Sequence, residues 1–228
     1  MRYEEMNWFD VEEYLKQDDR LMLVLGACEQ HAYLSLLTDV MVPLALADAA
    51  SRLTAVPVAP PLNFGCSPYF LAYPGTLSLR ASTLLDVVED LLRSAYEQGF
   101  RRFLVLNGHG GNDLVRSRFY EMLNKRGEMR INWYSWWNSH SVEQVALHHN
   151  LKPAHANWLE AFQFTRVGEL PEEAKTPPAT AGLMGSENVR AIYEDGSFGG
   201  PYHTDQSVMD EIFQAALQDV LQLLKFEI

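Results

Sequence analysis

Leu21-Met22-Leu23-Val24-Leu25-Gly26-Ala27 is a short, nearly unbroken apolar run. A strand with one wet face alternates apolar and polar residues, whereas a strand covered on both faces is apolar throughout. The run therefore predicts an interior strand of a mostly parallel sheet. Residues 55–59 and 103–106 read the same way, and 131–136 less cleanly. Between them lie segments of helical periodicity at 40–53, 82–98 and 112–126. Ser82 or Thr83 is suited to cap the second of these helices, and Gly99 stands where a glycine would end it. Strands alternating with helices of this length imply βαβ units and a layered sheet of class α/β.

Outside this pattern, residues 169–185, with Pro171, Pro177 and Pro178, read as a long loop, and 205–225 as one amphipathic closing helix. With 228 residues, 47% of them hydrophobic, the chain can bury a full core, and one domain over 1–228 is the simplest organisation. Thirty acidic against 18 basic residues give a net charge of −12. Such a field repels polyanions, so neither nucleic acid nor an anionic membrane is expected as partner, and a small neutral or cationic substrate fits better. No window approaches the ~20 apolar residues of a membrane helix, and the first residues lack a basic then apolar targeting pattern, so a cytoplasmic location is expected. Cys28 and Cys66 are too few for a disulfide framework and read as reduced thiols, with Cys28 a buried structural one.

Three places could carry chemistry. Glu29 and His31 follow the first strand, and residues two apart in extended backbone point the same way, so their side chains can meet at one metal. Asp39 lies where the next helical pattern begins. It either returns its carboxylate to this point or, with Thr38 as rival, caps the helix. Glu, His and Asp together make a mixed N/O donor set suited to Zn, Mn or Fe. The second place is Asn107-Gly108-His109-Gly110-Gly111-Asn112, between a strand and a helix, where α/β sheets bind ligands. Its glycines allow close backbone approach, and His109 projects one strong ligand. It lacks the G-x-G-x-x-G spacing of a dinucleotide site and the Lys-Ser/Thr of a P-loop, which disfavours a nucleotide-binding reading. The third is His155-Ala156-Asn157-Trp158-Leu159-Glu160. On one helix His155 and Glu160 would project about 140° apart. They could flank a pocket if His155 precedes the helix. Trp136, Trp137 and Trp158 are candidates for a pocket wall, with two of the three expected in the core.

Taken in order, Glu29-Gln30-His31 with Asp39, Tyr73-Pro74-Gly75-Thr76, the Asn107–Asn112 loop, His155 with Glu160, and Gly182-Leu183-Met184-Gly185 resemble the creatininase (creatinine amidohydrolase) family over about residues 20 to 200. The resemblance implies a three-layer α/β/α sandwich and a centre of two divalent ions, Zn or Mn with Fe as a third candidate. It implies a homo-oligomer, of which a hexamer is one form. It maps Glu29, His31, Asp39 and His109 onto metal ligands, with Asp39 the bridge, and His155 onto an active-site histidine that serves proton transfer or substrate binding. Ser67, Gly110 and Gly111 are expected to contact the substrate.

This chain departs from the family pattern in specific places. Its spacing from Glu29 to Asp39 is one residue shorter, and Ala32-Tyr33-Leu34 replaces Gly-Pro-His. Gly111 stands where creatininase itself carries a ligand glutamate, which makes Glu160 the candidate replacement. Leu151 and Lys152 stand near the position of a Trp-Asp pair, which argues against creatinine as substrate. Other branches of the same frame deformylate pyrimidine intermediates or cleave a peptide during cofactor maturation. The expected activity is hydrolysis of a C–N bond in a small cyclic amide or formamide by metal-bound hydroxide, with His155 acting near its ordinary pKa. The alternative is a non-catalytic metal- or small-ligand-binding relative.

Overall fold

The computed structural model describes residues 1–180 and 182–227. In chain order its elements are α1 (Trp8–Leu15), β1 (Arg20–Leu25), α2 (Thr38–Thr54), α3 (Ala81–Gln98), β2 (Arg102–Asn107), α4 (Val115–Lys125), β3 (Arg130–Ser135), α5 (His140–His148), α6 (Ser186–Tyr193) and α7 (Gln206–Leu223). Short 3-10 turns include Gly110–Leu114 and Trp158–Glu160.

The sheet runs β1-β2-β3, all parallel, with Leu21 beside Phe103 and Phe103 beside Ile131. The pleat sends alternate residues to opposite faces. Met22, Val24, Leu104, Leu106 and Tyr134 join Leu46 of α2, Val142 of α5 and Ile212 of α7 in one buried cluster. Leu21, Leu23, Leu25, Phe103 and Val105 join Leu84 and Val88 of α3 and Phe119 of α4 in another. Each buried side chain of this size contributes about 1.5–3 kcal/mol relative to exposure. An apolar β1 is thus stabilised on both faces, and the result is the three-layer α/β/α sandwich.

Several local expectations need correction. Residues 55–59 do not form a full strand. Met22 N–H donates to Pro57 O (3.0 Å) and Ala59 N–H to Met22 O (2.9 Å), so the segment only bridges the β1 edge. Pro57, Pro60 and Pro61 have no N–H, which stops a longer ladder. Neither Ser82 nor Thr83 caps α3. Arg80 occupies that position without a side-chain hydrogen bond, while Gly99 ends the helix at φ 122° as expected. The helix expected from Asn112 begins as a 3-10 turn and turns α-helical only at Val115. A helix from His155 is also absent, since only Trp158–Glu160 coil there, as one 3-10 turn. The described part of 169–185 carries no helix or strand before Gly185 and is tied by a bridge between Lys175 and Gly200, while Ala181 lies outside the described residues. Among the described residues, no helix is long and apolar enough to cross a membrane.

Candidate metal centre

Beyond β1 the chain stays extended because other segments hold it. Cys28 bridges Leu77, Glu29 N–H donates to Leu36 O (3.0 Å), and Gln30 N–H donates to Thr76 Oγ1 (3.1 Å). Tyr73–Thr76 thereby anchors the Glu29-Gln30-His31 run. Leu37, not Asp39, occupies the N-cap of α2, and the Thr38 hydroxyl donates to Ser35 O (2.7 Å). Asp39 is left in the first turn with its carboxylate free to face Glu29 and His31. All three side chains are buried.

The two oxygens of Asp39 address different histidines. Oδ1 lies 3.0 Å from His31 Nε2, and Oδ2 lies 3.0 Å from His109 Nδ1. Glu29 Oε1 is 3.3 Å from the same His109 nitrogen, and Glu160 Oε1 is 3.8 Å from His31 Nε2. Two donor groups result, Glu29–Asp39–His109 and His31–Asp39–Glu160, and Asp39 belongs to both. Despite these short distances, Glu29 Oε2, His31 Nε2 and Asp39 Oδ2 are buried without hydrogen-bond partners. Orphaned buried polar atoms are costly, and a cation at this place would satisfy them. Their N/O character fits Zn or Mn.

Outer contacts fix the ring orientations. His31 Nδ1 donates to the Glu29 backbone oxygen (3.2 Å), which turns Nε2 toward the carboxylates. His109 is reversed. Its Nε2 donates to Cys66 O (3.0 Å), with the Ser67 hydroxyl also at 3.2 Å, which turns Nδ1 inward. Asn107 and Asn112 brace the His109 loop. Asn107 accepts the His109 N–H (3.2 Å) and donates to its carbonyl (2.8 Å), while Asn112 donates to Gly26 O (3.0 Å) and accepts from Cys66 N–H (3.2 Å). Gly108 must be glycine for proximity, because a Cβ there would stand 1.8 Å from the Asp39 carbonyl oxygen. That carbonyl receives no helical N–H from position 43, which is proline.

His155 sits at the edge of this cluster, with Nδ1 4.0 Å from Glu29 Oε1 and its ring stacked on Phe70 at 4.6 Å. Phe198 closes on the same ring at 5.0 Å, and its N–H donates to His155 O (3.0 Å). Glu160 Oε2 accepts the Ala156 N–H at 2.6 Å, which leaves Oε1 for His31. Electrostatics divide the group. Burial opposes charge on His31, but Asp39, Glu160 and Glu29 outweigh it and raise the imidazole to about 10. Burial also opposes a charged His109, yet Glu29 and Asp39 lift it well above its ordinary value. His155 goes the other way. Burial and the neighbouring His31 hold it well below the usual range, so it is a neutral imidazole and does not titrate near its ordinary pKa as the sequence suggested. Burial raises Glu160 to about 7, against the pull of His31 and with the push of Asp39.

A cavity of about 850 Å³ opens over the cluster. Ser67, Gly110 and Gly111 all line it, as does Trp137, whereas Trp136 and Trp158 are buried in the core. Cys28 is buried and donates weakly to Gly75 O (3.4 Å). Sequence reasoning overlooked the bracing roles of Thr76, Asn107 and Asn112. The two asparagines that flank the glycine loop were the available signal.

Two histidines and three carboxylates, gathered where parallel strands end inside an α/β/α sandwich, define an α/β protein with a buried carboxylate–histidine centre. The creatinine amidohydrolase family model matches residues 4–224, and the chain belongs to the creatininase family. It is 32% identical over 117 residues to creatinine amidohydrolase of Pseudomonas putida, covering 48% of this chain and 45% of that protein. It is 27% identical to 3-dehydro-scyllo-inosose hydrolase of Thermotoga maritima over 47% of this chain and 35% of that protein. To the mycofactocin precursor peptide peptidase of Mycolicibacterium smegmatis it is 32% identical over 40% of each. The matches thus span less than half the length of these curated relatives. A crystal structure of creatinine amidohydrolase superposes with a TM-score of 0.83 at 19% identity, covering 98% of this chain and 96% of that one. Other creatininase structures of the same fold are described as Mn and Zn-Zn forms.

Proposed function

We propose that this chain is a metal-dependent hydrolase that cleaves a C–N bond in a small cyclic amide or formamide. The observation that carries this reading is the Asp39 carboxylate, which is shared between two donor groups in which Glu29 Oε2, His31 Nε2 and Asp39 Oδ2 are buried without a hydrogen-bond partner. Glu29, Asp39 and His109 would hold one divalent ion, and His31, Asp39 and Glu160 a second, with zinc or manganese favoured by the donor set and iron a further candidate. Such ions supply Lewis acidity, which acidifies water and polarises an acyl oxygen.

The chain's own residues complete the site. Gly110 and Gly111 bring bare backbone to the cavity wall, where N–H groups suit a developing oxyanion. Ser67 supports His109 from behind and also borders the cavity. His155, neutral and partly buried between Phe70 and Phe198, presents its Nδ1 edge to the cluster and is the group to bind and orient the substrate there by donating a hydrogen bond. Trp137 offers a face to a planar ring. The relatives' differing names support hydrolysis more than any one molecule. A cytoplasmic homo-oligomer remains part of this proposal.

The test is a turnover screen of cyclic amides and formamides with zinc- or manganese-loaded protein, wild type beside His155→Ala. Turnover in the wild type, lost in a variant that keeps its metal, is the expected result. Tight binding of these compounds without any turnover would favour the non-catalytic relative instead.

A further inference from the structure

Gln30 sits between the two candidate ligands Glu29 and His31 and is buried. Its side-chain amide is oriented from both ends. Oε1 accepts the Ala32 N–H (3.1 Å), and Nε2 donates to Gly196 O (3.0 Å). Turning the amide over would set oxygen against the Gly196 carbonyl and NH2 against the Ala32 N–H, so both backbone contacts select one orientation. The second hydrogen on Nε2 then points at His155 Nε2, 2.9 Å away. An amide nitrogen can only donate. His155 Nε2 must accept, and a neutral imidazole that accepts at Nε2 carries its proton on Nδ1.

That nitrogen is the one facing the centre. His155 can be grouped by distance with Glu29 and His31 as a third possible ligand set. We propose that Gln30 is a positioning residue that locks His155 in the Nδ1–H tautomer, which makes His155 a hydrogen-bond donor toward the centre and excludes it from metal ligation. The inference rests on the hydrolase reading only for its effect on turnover, because the tautomer itself is a property of the chain. Gly196 belongs to the same device. Its φ is 95°, and a Cβ there would stand 1.8 Å from Gln30 Oε1, so no larger residue admits the amide in this pose.

The neighbours act in concert with this assignment. Phe70 and Phe198 pack on the His155 ring and prevent it from rotating to offer the other nitrogen. The Phe198 N–H also ties its segment to the His155 carbonyl. His31 and His109 show the opposite design, since each donates its outer nitrogen to a backbone carbonyl and turns inward the nitrogen that would bind a cation once its proton has left. Outer partners of opposite kind, two carbonyl oxygens and one amide NH2, thus sort the three histidines into two candidate ligand rings and one hydrogen-bond donor ring.

The experiment is nitrogen NMR of histidine-labelled protein, as purified and after zinc loading, with His155→Gln used to assign the signal. A neutral His155 protonated at Nδ1 is expected in both samples. An Nε2–H tautomer, an imidazolium, or a zinc-induced shift showing Nδ1 ligation would overturn the inference. Gln30→Met, which keeps length and removes the donor, should release the tautomer to a mixture, and Gly196→Ala should do the same by displacing the amide. Both variants should keep the wild-type metal content. If the hydrolase reading also holds, kcat should fall about 10–100-fold in Gln30→Met with KM little changed. Absence of turnover in wild type would count against the hydrolase reading alone, while an unchanged tautomer in both variants would count against the role of Gln30.

Discussion

Glu160 Oε1 lies 3.8 Å from His31 Nε2, although the two residues come from opposite ends of the site's sequence. The contact accounts for a gap elsewhere. Position 111, two residues beyond His109, is where creatininase would carry a ligand glutamate, and here it has no side chain. Glu160 brings a carboxylate to the same centre from the 3-10 turn after His155. Its other oxygen is held by the Ala156 N–H, so the carboxylate has one free end and one fixed end.

Gly111 could not simply be restored to a larger residue. A Cβ at 111 would stand 2.0 Å from Cys66 O and 2.5 Å from His109 Nε2. Gly111→Ala should therefore push His109 off its Cys66 contact. The expected cost is about 1–3 kcal/mol of stability, as for other overpacked sites. Thermal denaturation of metal-free protein measures it, and an unchanged Tm would show that the Cys66 segment yields freely.

Protons and cations compete for the same atoms. In the metal-free chain the surrounding carboxylates raise His31 to about 10 and His109 well above its usual range, while burial lifts Glu160 to about 7. A cation must displace the histidine protons, and this becomes easier as pH rises toward about 10. Below about pH 7 Glu160 is protonated too, so one more proton must leave. Apparent zinc affinity should accordingly rise with pH from about 6 to 9, with about one proton released per ion near pH 8. Zinc titration in weak buffer with a pH indicator reads this release. An affinity independent of pH would contradict it.

The tryptophans separate by role. Trp158 is fully buried and donates from Nε1 to Lys152 O (3.1 Å), while Trp137 is half-buried on the cavity wall. Trp158→Ala should cost about 3–5 kcal/mol. Trp137→Ala should leave Tm much less affected and act on KM for a planar substrate. Paired melting curves and kinetics distinguish them, and equal losses of stability would refute the division.

The layers of the fold were legible because apolar runs and helical periods report burial directly. Leu21 to Leu25 read as a two-faced strand and is one. What failed depended on backbone path. Pro57, Pro60 and Pro61 interrupt the ladder of a segment whose apolar residues alone suggested a strand. Ser82 and Thr83 have capping side chains but fall inside α3, because the turn at Arg80 sets where the helix begins. At the centre, residue types exposed Glu29, His31, Asp39 and His109 as candidates, and the loop geometry then brought them together. Neither the aim of the Gln30 amide nor the choice of Trp137 over Trp136 for the cavity could be read from residue type. Each depends on contacts with distant segments, Gly196 in one case and the cavity over Gly110 in the other.

The shared carboxylate of Asp39 is tested most directly by metal stoichiometry. Elemental analysis of zinc-loaded protein should give about two ions per chain for the wild type, about one for Glu160→Gln and close to none for Asp39→Ala, with circular dichroism confirming the fold of each. Equal metal content in all three proteins would contradict a centre built around Asp39.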